Sequence, residues 1–175
     1  IKINIHNRYT GSAGITVLPT LWFYNRMSNT KLAEKPIIQD YNKTTVKATH
    51  QRLGTYYLYF PETRATFYTD NVTNTEKVSG RPNETPFVKD AFHNAIVKKK
   101  NVKSLRTSTS GTKFAPIYDL NIRGGESIDL YLRLTNKEVS NRFEVCFEKT
   151  FASEQGEDDR LYKTILTGNK NEQIR

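Results

Sequence analysis

The chain has 175 residues, a net charge of +9, 36% hydrophobic residues and 11% aromatics. That length fits one domain of roughly 100 to 200 residues, and ten Tyr with nine Phe exclude a disordered chain, which is characteristically poor in aromatics. No apolar run approaches the roughly 18 residues of a membrane-spanning helix, and no leader with charged and apolar regions opens the sequence.

Ile1, Ile3 and Ile5 alternate with Lys2, Asn4 and His6, the period-2 pattern of a half-buried strand. Ile1 is not an initiator Met and already lies in this strand pattern, as it would in a fragment cut from a longer chain. Gly11 and Gly14 mark a turn, and Ile15 to Phe23 reads as a strand interrupted by Pro19, which lacks a ladder donor and belongs at an edge or bulge. Thr44 to Thr49, Thr55 to Phe60 and Ala65 to Asp70 are short strands rich in Thr, Tyr and Phe, whose close spacing predicts an antiparallel β-sandwich.

Val88 to Ala95 predicts a short mid-chain helix, with Val88 near Phe92 and Ala91 near Ala95. The dense basic run Lys98-Lys99-Lys100 with Lys103 and Arg106 reads as a solvated loop, with a functional anion site as the alternative. Phe114 to Ile122 and Glu126 to Thr135 flank Arg123-Gly124-Gly125, and the alternation of Ile128, Leu130, Leu132 and Leu134 predicts a hairpin. Asn141 with Glu144 resembles a capping box for a C-terminal helix carrying Phe143, Cys146, Phe147 and Phe151 on one face. Gly156 is expected to break that helix, Leu161 to Leu166 to resume it, and 167–175 to form a linker.

No G-x-S-x-G signature accompanies a nucleophile. Cys146 lies on an apolar helical face, and His6, His50 and His93 are isolated, so neither a metal nor a cofactor is expected. The single cysteine forms no internal disulfide; the compartment is unknown from sequence, with the cytoplasm favoured. The cations are spread along the chain without nucleic-acid-binding spacing, so no nucleic-acid and no membrane partner is expected. Glu157, Asp158 and Asp159 read as solvated charge rather than an acid–base pair. Asp90, polar among aromatics with Lys89 and His93, reads as a structural ion pair or cap, or as a group facing a ligand or domain. Trp22, Phe23 and Tyr24 with Tyr56, Tyr57, Tyr59 and Phe60 read as core, or as a sugar-stacking platform.

Five motifs follow in order: VLPTLWFYN from Val17 to Asn25, LGTYYLYF from Leu53 to Phe60, TDNVTNTEKVSG from Thr69 to Gly80, PFVKDAFHNAIV from Pro86 to Val97, and GTKFAPIYDLNIRGGESIDLYLRL from Gly111 to Leu134. In this order they resemble the N-terminal β-domain of bacterial relatives of glycoside hydrolase family 63, the mannosyl-oligosaccharide glucosidase-like proteins. The resemblance implies a galactose-mutarotase-like supersandwich over 1–166, without strands that precede Ile1 in such relatives. It implies a missing (α/α)6 catalytic barrel beyond Arg175 that hydrolyses α-glucosidic or related bonds by inversion.

This fragment alone is therefore expected to be inactive, with no catalytic residue. Its expected partners are the barrel of the same parent chain and, as a further candidate, an oligosaccharide. Trp22, Asn25, Asn71, Asn74, Lys89, Asp90 and His93 are the expected contacts to the substrate cleft or the domain interface. An independent carbohydrate-binding module is the rival reading. The basic Lys98 to Lys103 stretch and the Ala152 to Asp159 segment depart from the family pattern.

Overall fold

The computed structural model describes residues 1–23, 35–140, 153, 156, 157 and 160–163. The chain divides into two compact units, Ile1–Glu138 and Val139–Arg175. The first is mainly β, built from antiparallel sheets with a few short helices.

Its N-terminal residues form β1 (Lys2–His6), β2 (Ala13–Val17) and β3 (Leu21–Trp22). All three pair antiparallel with one later stretch, β9 (Lys113–Pro116), β10 (Tyr118–Ile122) and β11 (Ser127–Tyr131). Ile3 faces Leu130, Ile15 faces Leu120 and Leu21 faces Phe114. Backbone hydrogen bonds extend this ribbon from Ile1, bonded to Leu132, to Phe23, bonded to Thr112. Pro19 falls in the break between β2 and β3, as expected of a residue without a ladder donor, and the register is the same on both sides of it.

The expected hairpin about Arg123-Gly124-Gly125 is not formed. The alternation correctly marks two strands, but β10 pairs with β2 and β11 with β1. The turn closes with a Glu126 N–H to Arg123 carbonyl bond, while Gly125 N–H donates to the Asn7 carbonyl and Asn7 Nδ2 to that of Ile122. The 7–11 turn lies so close that a Cβ on Gly124 would stand 2.2 Å from the Thr10 carbonyl oxygen. Alternation reveals a strand's two faces but not its neighbour.

A five-stranded sheet forms from β4 (Ile37–Asn42), β5 (Thr45–His50), β6 (Gly54–Tyr59), β8 (Ser110–Gly111) and β12 (Arg133–Thr135), in the order β12-β6-β5-β4-β8. A three-stranded sheet has β9 between β3 and β7 (Thr66–Thr69). Between the sheets lie Ile38, Val46, Ala48, Leu58 and Phe60 with Tyr68 and Phe114. The Tyr68 and Phe114 rings, paired in register, stand 4.9 Å apart.

The neighbouring pair Phe67 and Ala115 points to the other side, where Phe92, Ala95 and Leu105 cover it. These last three belong to α2 (Ala91–Ile96) and α3 (Val102–Arg106). The three-stranded sheet is thus buried on both faces, which explains aromatic runs in place of polar alternation. α2 matches the expected mid-chain helix. α3 corrects the basic-loop reading in its second half: Lys98, Lys99 and Lys100 are exposed, but Val102–Arg106 is helical and anchored by buried Leu105.

In the second unit, Ser153, Gly156, Glu157 and Arg160 to Lys163 are helical, so Gly156, expected to break a helix, is itself helical. Its backbone avoids the left-handed region, and glycine weakens a helix by only about 1 kcal/mol relative to alanine. The expected capping pair Asn141 and Glu144, the apolar face with Cys146, and the whole expected linker 167–175 lie outside the described residues.

Two substitutions test this architecture. Gly124→Ala should lower stability by about 1–3 kcal/mol through overpacking, whereas Gly14→Ala, whose Cβ would lie 4.0 Å from its nearest neighbour, should change it little; urea unfolding measures both. Tyr68 is fully buried and donates its phenol to Asp40, and burial followed by that hydrogen bond raises its pKa far above 10.0. Above pH 10 the unfolded phenol ionises while the folded one stays protonated, so this group's contribution to stability is lost as pH rises. Tyr68→Phe should flatten that alkaline decline in thermal unfolding scans between pH 9 and 11, values set by the ordinary tyrosine range of about 10.

Candidate functional site

Of the expected contact residues, Trp22, Asn71, Asn74, Lys89 and Asp90 fall at one end of the three-stranded sheet. There, Trp22 of β3 faces Lys113 of β9, and Lys113 faces Thr69 of β7. Beyond Thr69 the chain leaves the sheet through Asp70 and Asn71 into α1 (Thr75–Ser79). A return segment then leads to α2, tied back by hydrogen bonds from Asp70 N–H to the Phe87 carbonyl, 2.8 Å, and from Lys89 N–H to the Val72 carbonyl, 3.2 Å.

The side chains of Asn71, Asn74, Lys89 and Asp90 each have a partner within the protein. Asn71 N–H donates to the buried Thr112 hydroxyl at 2.7 Å, and its Nδ2 donates to the Phe23 carbonyl at 3.1 Å. Asn74 is the N-cap of α1: its Oδ1 accepts from Lys77 N–H at 2.9 Å. Its Nδ2 donates to both oxygens of Asp90, each at 3.2 Å. Asp90 occupies the N-cap position of α2 but makes no side-chain cap there, because its carboxylate is turned to Asn74. Of the two structural roles read from sequence, ion pair and cap, it takes neither; it joins two helix starts. Asn83, not anticipated from sequence, extends the chain by donating to Asn74 Oδ1 at 3.1 Å while accepting from Thr75 N–H at 2.9 Å.

Lys113 is the residue at the centre that sequence reading missed. Its ammonium donates to the Lys89 carbonyl at 3.1 Å and stands 4.7 Å over the Phe92 ring. Burial and then the neighbouring Lys89 charge lower its pKa, against the opposing pull of Asp90. The available signal was a lone cation in the otherwise apolar run Lys113-Phe114-Ala115-Pro116. Lys89 itself is exposed and donates to the Thr73 hydroxyl at 3.1 Å. Asp70, also missed, is nearly buried and paired with Lys35 at 2.8 Å.

Asn71, Asn74, Lys89 and Asp90 are thus brought together about Lys113, with Trp22 beside them and 51% exposed. His93 is exposed on α2, and among the described residues its ring has no hydrogen-bond partner. Asn25 lies outside the described residues. The carboxylates of Asp70 and Asp90 accept from Lys35 and from Asn74 respectively. Among the described residues, no three His, Cys, Asp or Glu gather as a metal site, and no helix is long and apolar enough to cross a membrane.

The aromatic series does not form one platform. Tyr56 and Phe60 join the core between the sheets, and alternation sends Tyr57 and Tyr59 to the opposite face of β6. Tyr59 is only 2% exposed, and Tyr57 meets Tyr41 edge-on at 5.3 Å. The Tyr41 phenol donates to Glu138 at 2.5 Å, which pushes its pKa up to about 12. Trp22 lies in a different sheet from these tyrosines, and Tyr24 lies outside the described residues.

Asn74→Ala removes a helix cap and unpairs Asp90, and should cost about 1 kcal/mol for the cap alone. Hydrogen exchange should show the loss as faster exchange at the amides of Lys77 and Gly80, while the amides of β5 and β6 keep their protection.

No protein-family model, no curated protein and no solved structure matches the chain.

Proposed function

We propose that this chain is a non-catalytic β-sandwich accessory domain of a glycoside hydrolase resembling the bacterial family 63 enzymes. In this reading it braces an (α/α)6 catalytic barrel of the same parent chain and shapes the rim of its substrate cleft. One observation carries the proposal. Asn71, Asn74, Lys89 and Asp90, the contacts implied by the motifs, converge at one end of a sheet buried on both faces, with Trp22 exposed beside them. Asn74 and Asp90 bond each other, Asn71 bonds the Phe23 carbonyl and Lys89 the Thr73 hydroxyl; side chains held in this way lose little freedom on binding a neighbouring surface. A domain that positions a partner requires such rigidity, whereas an acid–base pair requires carboxyl groups free to exchange protons with substrate.

A second reading, an independent carbohydrate-binding module, draws on Trp22 alone. An exposed indole offers a face to the apolar side of a pyranose ring.

The discriminating experiment is hydrolysis of a panel of α-glucosides and α-mannosides by the 175-residue chain and by the longer chain that contains it. Activity confined to the longer chain is expected, and Trp22→Ala with Lys89→Ala should then lower its turnover or its thermal stability. Activity in the 175-residue chain would refute the accessory role. If instead this chain alone binds oligosaccharides, seen as quenching of the Trp22 fluorescence, the binding-module reading takes its place.

A further inference from the structure

A second site is formed where the β4–β5 turn, the 61–65 connection between β6 and β7, and the end of α3 meet. They enclose a groove of about 530 Å³ whose floor includes buried Phe60, within the usual size range of small-ligand sites. Several of its polar groups are already engaged. Asp40 accepts the Tyr68 phenol, Arg64 pairs with Asp119, and the Thr63 hydroxyl donates to the Ile117 carbonyl.

Four others are not. Among the described residues, the side chains of Lys43, Glu62, Thr66 and Arg106 line the groove without a hydrogen-bond or ion-pair partner. Two of these are cations and one is an anion. The segment that carries Arg106 has the same bias in sequence: no acidic residue occurs between Asp90 and Asp119. Lys43, Arg64 and Arg106 outnumber Asp40 and Glu62 in the lining, and an excess of positive charge in a cleft favours anions. A guanidinium and an ammonium offer several donors to one oxyanion, as phosphate and carboxylate recognition requires. The Glu62 carboxylate repels a bare anion, yet it accepts hydrogen bonds from hydroxyl groups, and Thr66 both donates and accepts them.

We propose that this groove binds an anionic sugar, its phosphate or carboxylate held between Lys43 and Arg106 and its hydroxyls by Glu62 and Thr66. The site is separate from the Trp22 end and does not depend on the accessory-domain reading.

The test is calorimetric titration of the 175-residue chain with glucose 6-phosphate and with glucuronate, beside glucose and inorganic phosphate. At least one of the two charged sugars should bind more tightly than either control, and which one does identifies the oxyanion. Arg106→Ala and Lys43→Ala should each weaken that binding about tenfold or more, the change that loss of a charge-assisted hydrogen bond gives. Both side chains are exposed and unpaired, so unchanged thermal unfolding should accompany the loss. Lys103→Ala, on the same helix but outside the groove, should leave affinity within about twofold, as expected for a screened exposed charge. The proposal fails if neither charged sugar binds, if glucose or inorganic phosphate binds as tightly, or if Lys103→Ala weakens binding as much as Arg106→Ala.

Discussion

Double-sided burial of the three-stranded sheet is the constraint on which the rest of the first unit depends. Phe67 and Tyr68 are neighbours in β7 and both are almost wholly buried, on opposite faces; Phe114 and Ala115 repeat the arrangement in β9. One face needs the five-stranded sheet and the other needs α2 and α3, so neither core is complete without these strands. Fully burying a side chain of this size contributes about 1.5–3 kcal/mol, which makes this sheet the largest shared asset of the two cores. It also fixes the termini of its own strands. The row Trp22, Lys113 and Thr69 sits where burial gives way to polar chain, and the contact residues gather there.

Much of this was legible in the sequence, for physical reasons that differ by element. β1, β5 and β6 were visible through alternating or β-branched patterns, and α2 through the spacing of Val88, Ala91, Phe92 and Ala95. β4 was not, because only Ile38 of its six residues is buried and its bulge between Asp40 and Asn42 breaks the period. α3 was hidden because Leu105 is its only buried anchor among cations. The partner of a strand is invisible to periodicity, which is why β10 and β11 looked like a hairpin. At the candidate site the asparagines and Asp90 stood out as polar residues within an aromatic context. Lys113 did not, because its importance comes from a carbonyl of another segment and from the Phe92 ring, neither of which its sequence neighbours supply.

The two polar regions are built on opposite electrostatic logic. Around Asn74 the side-chain amides of Asn71, Asn74 and Asn83 all meet acceptors within the protein, and a half-buried network of this kind is stiff because each member fixes the next. Around Arg106 the donors face solvent and remain unpaired, so their interaction energy is still available to a ligand. The excess of cations behind the net charge of +9 is therefore not uniform in meaning. Lys113 is held inside the structure, at the cost of desolvation, whereas Arg106 and Lys43 are left at a surface.

The ribbon that joins Ile1 to Leu132 also has a consequence in time. Its outermost paired residues are 131 positions apart, so β1 cannot find its partner until the last of the three later strands has been made. At ribosomal rates of about 5–20 residues per second, that delay is roughly 7–26 s. Throughout it, the Ile-rich first strand lacks its β11 partner. A nascent chain of this design presents an unpaired strand long before its mate exists, and unpaired strand edges are what make such intermediates prone to non-native pairing.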